Sequence, residues 1–144
     1  MLFRRRATTV LLVEDDDLYA RAVQRVLAAS EAVEVLGRAR DGAEGVGLAF
    51  ALQPDCILMD LSLPFIDGLE ATRAIRSRLP FVRVVVLTSS DDPADRERAR
   101  AAGATGYLRK DSPFEELEPA VTRARRRRPR HSEPRVLLAG GLAR

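Results

Sequence analysis

A chain of 144 residues, 46% apolar and 31% charged, is long enough for one domain with a buried core and has the mix of an ordinary soluble globular protein. One cysteine, Cys56, rules out an internal disulfide, and one histidine, His131, lying among arginines near the end, leaves almost no room for a histidine zinc centre or a Ser-His-Asp triad inside the domain. The net charge of +3 divides unevenly: residues 123–144 hold eight arginines and one glutamate, +7, which leaves −4 for the rest, an acidic domain with a basic tail.

Basic residues at Arg4–Arg6 precede an apolar run, but Glu14–Asp17 cut it within a few residues. Neither a signal peptide nor a membrane span is expected, so the protein is expected in the cytoplasm. Thr8–Val13 reads as a strand buried on both faces. A helix follows from Leu18, with Leu18, Ala22, Val26 and Ala29 at helical spacing. Val33–Ala39 is a second strand closed by Asp41-Gly42, and Ala43–Leu52 is a helix ended by Pro54, which disfavours helical geometry in Gln53. Cys56–Met59 is the third strand, its cysteine read as a small core residue. The loop Leu61–Asp67 leads to a helix Gly68–Arg78 with Leu69, Thr72, Ile75 and Leu79 on one side. Gly68 is expected to supply a positive φ. Val82–Leu87 is the fourth strand, and Asp92-Pro93 caps and opens a helix that ends at Gly103. Thr105–Arg109 is the fifth strand, and Ser112-Pro113 repeats the capping signal for a last helix through about Arg127. Strict alternation of five strands and five helices predicts an α/β doubly wound parallel sheet spanning 1–124, with 125–144 a solvated basic linker or tail. Such a run of arginines would touch nucleic acid only nonspecifically.

The ends of these strands carry the chemistry. Val10–Val13 runs into Glu14 and Asp15, Cys56–Met59 into Asp60, Val84–Leu87 into Thr88, and Tyr107–Arg109 into Lys110. Ligands of open parallel sheets bind outside the carboxyl ends of the strands, so these groups are expected to converge. Crowded carboxylates raise one another's pKa unless a cation sits between them, and magnesium, which prefers oxygen ligands, fits best. A carboxylate not saturated by metal can attack phosphorus, with Lys110 and the Thr88 hydroxyl neutralising phosphoryl oxygens.

The segments Val10-Leu-Leu-Val-Glu-Asp-Asp, Ile57-Leu-Met-Asp-Leu-Ser-Leu-Pro-Phe-Ile-Asp-Gly, Val85-Val-Leu-Thr-Ser and Ala102-Gly-Ala-Thr-Gly-Tyr-Leu-Arg-Lys resemble the receiver domain of bacterial two-component response regulators over roughly residues 8–124. The resemblance implies a flavodoxin-like fold with strand order 2-1-3-4-5 and a phosphoacceptor at Asp60. It implies Mg2+ held by Glu14, Asp15, Asp60 and the backbone carbonyl of Ser62, with phosphoryl contacts from Thr88 and Lys110. Thr88 and Tyr107 would form the switch. A sensor histidine kinase is the implied partner and a phosphorylation-dependent homodimer an expected assembly; DNA would be reached through an output domain only, and no membrane is involved.

Many receivers follow the lysine with a cis-bonded proline, whereas this chain has Asp111, and cis without proline costs about 2.5–4 kcal/mol. Lys110-Asp111-Ser112 resembles the NarL/FixJ type, whose members usually carry a helix-turn-helix output domain. Only 20 residues follow position 124, too few for one. A haloacid-dehalogenase-type phosphohydrolase would need Asp-x-Asp-x-Thr/Val after the first strand, and Tyr19 stands at the last position. A receiver acting only through protein contacts is the other alternative. The complete acidic pocket, Thr88 and Lys110 argue against an inactive one.

Overall fold

The computed structural model describes residues 6–123. Its strands are β1 (Thr8–Val13), β2 (Val33–Ala39), β3 (Cys56–Asp60), β4 (Arg83–Thr88) and β5 (Gly106–Arg109). Its helices are α1 (Asp17–Ala28), α2 (Gly42–Leu52), α3 (Gly68–Arg78), α4 (Pro93–Ala101) and α5 (Leu117–Thr122), with a 3-10 turn, Phe114–Glu116, just before α5. All pairings are parallel, as the alternation of strands and helices predicts, and the order is β2-β1-β3-β4-β5, as the resemblance implies. The chain order reverses between β1 and β3, and a crevice opens at such a switch point outside the carboxyl ends.

Side chains alternate across each strand, and both faces are covered. Leu11, Val13, Ile57, Met59, Val84 and Val86 pack with Ala49 of α2, Ala71 and Ile75 of α3 and Ala99 of α4. Val10, Leu12, Leu58, Val85 and Leu87 pack with Ala20, Val23 and Leu27 of α1 and with Leu117 and Val121 of α5. Each fully buried Leu or Ile among them contributes about 1.5–3 kcal/mol relative to exposure. Cys56 is one of this second layer, and burial pushes its thiol up to about 12, so it behaves as the small core residue expected.

Three local expectations need correction. The buried stripe of α1 is Ala20, Val23 and Leu27, while Leu18 is 73% exposed and Ala29 is also exposed. Ala20, Val23 and Leu27 follow one another at three- and four-residue steps and so share the face turned to the sheet, which puts Leu18 and Ala29 off that face. Ser112 caps nothing: the last helix begins as the 3-10 turn and becomes α-helical only at Leu117. Pro119 accounts for this, because a helix continuous from Phe114 would need a Pro119 N–H to reach the Glu115 carbonyl. Restarting at Leu117 puts Pro119 in the first turn, where that donor would be unpaired in any case. The helix also ends earlier than the expected Arg127, at Thr122, with Arg123 already extended; the basic tail lies outside the described residues.

Gly68, third, has no positive φ; among described glycines only Gly103 does, at 107°, just after α4. A Cβ on Gly68 would stand 2.2 Å from the Asp60 carbonyl oxygen, so close approach of α3 to the end of β3 is what demands glycine there. The cap residues Asp41, Asp67 and Asp92 accept hydrogen bonds from Glu44 N, Glu70 N and Ala94 N respectively. All described peptide bonds are trans, Lys110–Asp111 included.

Candidate functional site

The four consecutive acids after β1 have four different environments. Glu14 is fully buried, with its amide donating to the Ala39 carbonyl at 2.9 Å and its Oε2 accepting from Asp16 N at 3.1 Å. Asp15 is exposed, and Asp16 caps α1 by accepting from Leu18 N and Tyr19 N. Asp17 pairs with Arg38 at 2.9 Å and Arg40 at 2.6 Å, and their hydrogen bonds hold its carboxyl below the usual carboxylate range. Arg38 also donates from Nε and Nη2 to the Glu14 carbonyl, at 2.9 and 2.8 Å. The register between β1 and β2 slips after Val10, which pairs with Val35 while Leu11 pairs with Gly37. This leaves Leu36 as a bulge, and bulges re-aim the side chains beyond them, here Arg38.

Asp60 ends β3 beside this turn, 2% exposed, with its Oδ1 accepting from Ser62 N at 3.1 Å. The ammonium of Lys110, just past β5, lies 3.3 Å from that oxygen and 3.0 Å from Oε1 of Glu14. Burial first and the Glu14 charge second push the Asp60 carboxyl up to about 7, against relief from Ser62 and Lys110. Burial works to lower the Lys110 pKa, but its hydrogen bond to Glu14 and the charges of both carboxylates outweigh that and raise it. Two buried carboxylates therefore share one cation. Oε1 of Glu14 has the ammonium opposite but lies outside hydrogen-bonding geometry, leaving a buried oxygen without a donor. Among the described residues Glu14, Asp15 and Asp60 each bring one carboxylate oxygen within 4.8 Å of the others. Hard oxygen donors, a deficit of positive charge and one buried oxygen without a hydrogen bond together fit a small divalent cation such as magnesium.

Thr88, the last residue of β4, is buried; its Oγ1 accepts from Ser90 N at 3.0 Å and keeps its own proton to donate. Lys110 N donates to the Thr88 carbonyl at 2.8 Å, fixing the lysine's stem beside it. Ser62 stands exposed at the start of the β3–α3 loop. Tyr107 lies along β5, one strand over from Val86, away from the carboxylates. Its ring packs against the Met59–Val86 layer under the Arg96 guanidinium, 5.0 Å from the ring centroid, and its enclosed hydroxyl has no partner.

Glu14, Asp15, Asp60 and Lys110 thus meet as expected, with Thr88 on the adjacent strand end. Sequence reasoning missed Arg38, whose role depends on a bulge that no residue type announces. It also missed Tyr19, whose ring lies 4.9 Å from the Lys110 nitrogen.

A family model described as the response regulator receiver domain matches residues 10–122. GacA of Pseudomonas aeruginosa, called a response regulator, is 40% identical over 112 residues, 78% of this chain and 52% of that protein. The transcriptional regulatory protein LiaR of Bacillus subtilis is 40% identical over 121 residues, 84% of this chain and 57% of its own. The chain therefore spans about half the length of the curated relatives it matches. The signal receiver domain of a response regulator NarL from Mycobacterium tuberculosis superposes with a TM-score of 0.76 at 36% identity, covering 83% of this chain and all of that one (100%).

Proposed function

This chain belongs to the response regulator receiver domain family, and from that premise we propose that it is a phosphorylation-driven switch that accepts a phosphoryl group on Asp60 from a sensor histidine kinase. The observation that carries the proposal is the buried pair Asp60 and Glu14 sharing the single Lys110 cation. Asp60 Oδ forms a P–O bond while the donor's bond to phosphorus breaks and its electron pair leaves with the donor. Lys110, already within 3.3 Å of Asp60, neutralises the incoming phosphoryl oxygens. The Thr88 hydroxyl donates to another of those oxygens. Magnesium would be held by Glu14, Asp15, Asp60 and the Ser62 carbonyl, and when bound it supplies positive charge to the phosphoryl oxygens. The chain serves as phosphoacceptor and switch, acting on no separate substrate. The cytoplasm is its place of action; no described helix is long and apolar enough to cross a membrane.

The readout is proposed to run through Tyr107. A cavity of about 160 Å3 lies between α4 and β5, lined by Arg96, Ala99, Arg100 and Tyr107 among others. Because the Tyr107 hydroxyl has no partner where it stands, the ring loses no hydrogen bond by leaving when Thr88 is drawn to the phosphoryl group. Changed self-association, and transcriptional control of the kind the name of LiaR states, follow as downstream roles.

The test is intact-mass analysis after treatment with acetyl phosphate. One phosphoryl group is expected with magnesium, none without it and none in Asp60→Asn. Equal labelling of that variant would overturn the assignment.

A further inference from the structure

Lys110 has a neighbour that is not a carboxylate. Its ammonium nitrogen stands 4.9 Å from the centroid of the Tyr19 ring. That ring in turn leans on Phe114, with centroids 6.1 Å apart and planes at 51°. Tyr19 comes from the first turn of α1 and Phe114 from the 3-10 turn that follows Lys110, so two separate elements close on one lysine. The Lys110 side chain is only 19% exposed, and its ion pairs with Glu14 and Asp60 measure 3.0 and 3.3 Å.

A lysine carries its charge on a flexible four-carbon stem, and two carboxylates alone leave that charge free to lean towards either. An aromatic face attracts a cation through its quadrupole without needing a hydrogen bond, so it can steady an ammonium and leave its three protons for oxygen acceptors. We propose that Tyr19, braced by Phe114, is a positioning residue that holds the Lys110 ammonium between Glu14 and Asp60, where the phosphoryl group arrives. The role rests on Asp60 being the phosphoacceptor. It predicts that the ring face matters and the hydroxyl does not, whereas a spacer between α1 and the β5–α5 connection would need only apolar bulk.

The experiment follows acetyl phosphate labelling of the full chain at saturating magnesium, in which the Asp60 oxygen gains the P–O bond and acetate leaves with the electron pair of the bond that breaks. Tyr19→Phe is expected to label within about twofold of wild type, and Tyr19→Leu about fivefold more slowly, the scale of a partly desolvated cation–π contact. Tyr19→Met, whose flexible chain fills gaps, repeats the Leu arm should that variant pack poorly. An independent readout is the ring-current shift of the Lys110 ε-methylene protons by NMR, expected upfield in wild type and Tyr19→Phe and absent in Tyr19→Leu. Labelling of Tyr19→Leu at the wild-type rate, slowing of Tyr19→Phe to the Leu rate, or an unshifted Lys110 signal in wild type would each overturn the positioning role. Wild-type protein that never labels would remove the phosphoacceptor reading and this role with it, an outcome distinct from a labelled wild type with indifferent variants.

Discussion

Two buried aspartates bracket β3: Asp55, 4% exposed, directly before its first residue, and Asp60, 2% exposed, as its last. Asp55 accepts from Thr9 N at 2.9 Å and Thr9 Oγ1 at 3.1 Å, and the Arg6 guanidinium stands 3.5 Å from both its oxygens. Its own amide returns bonds to Thr9 Oγ1 at 2.9 Å and to the Thr9 carbonyl at 3.1 Å. At the other end Asp60 has one amide, from Ser62, and shares its ammonium with Glu14. Equal burial therefore meets unequal compensation. A carboxylate whose lone pairs are filled by local donors ties β1 to β3 and needs nothing further. One left short of positive charge holds free energy that a bound cation can release.

The sharpest way to break the comparison is to remove each carboxylate in turn. Asp55→Ala should destabilise the protein by about 2 kcal/mol, because the Thr9 donors lose their acceptor while the half-exposed Arg6 guanidinium turns to water. Asp60→Asn in metal-free protein at pH 8 should instead stabilise it by about 1 kcal/mol, since one of two repelling buried charges is gone. Urea unfolding of both variants measures this. Equal losses at the two positions would mean that the carboxyl end of β3 is as well satisfied as the amino end.

A pH series sharpens the same contrast. The Asp60 carboxyl sits at about 7 in the fold against an ordinary 3.8, so between those values the folded protein keeps a proton that the unfolded chain has released. Stability of the metal-free protein should therefore fall as pH rises from about 4 to about 7 and stay lower above. The raised Lys110 pKa adds nothing in this window, because that group is protonated throughout in both states. Asp60→Asn should flatten the slope, and magnesium at pH 8 should recover stability in wild type more than in the variant. A slope unchanged by Asp60→Asn would assign it to another group.

The fold was legible because each strand is a short apolar run and each helix carries its own punctuation, as at Asp92-Pro93 and Gly103. The face of α1 was not. Alanine and valine sit on two adjacent stripes, and which stripe is buried depends on how the helix lies on the sheet, a tertiary fact. The start of the last helix was not legible either: Ser112-Pro113 carries a capping signal, but the missing donor of Pro119, deeper in the segment, sets where α-helix can begin. The site residues announced themselves by type at strand ends, and parallel topology brings strand ends together. Arg38 and Tyr19 stayed hidden because an arginine after a bulge and a tyrosine in a first helical turn become parts of a site only through neighbours far away in sequence.

The smallest expected effect on stability belongs to Asp15, and it separates the two sides of the pocket. Asp15 contributes an oxygen within 4.8 Å of Glu14 and Asp60 but is itself exposed, so water already screens its charge. Asp15→Ala should change metal-free stability by no more than about 0.5 kcal/mol, in either direction. Its effect should appear once magnesium is added, because the ion loses its one solvent-facing carboxylate and retains only the two buried ones that Lys110 already serves. The stabilisation conferred by magnesium, read as the shift in melting temperature across a titration, should then need a clearly higher ion concentration than in wild type. Acetyl phosphate labelling should weaken in parallel. A variant that melts well below wild type without metal would show Asp15 to be a structural acid like Asp55, and an unshifted titration would place the cation elsewhere.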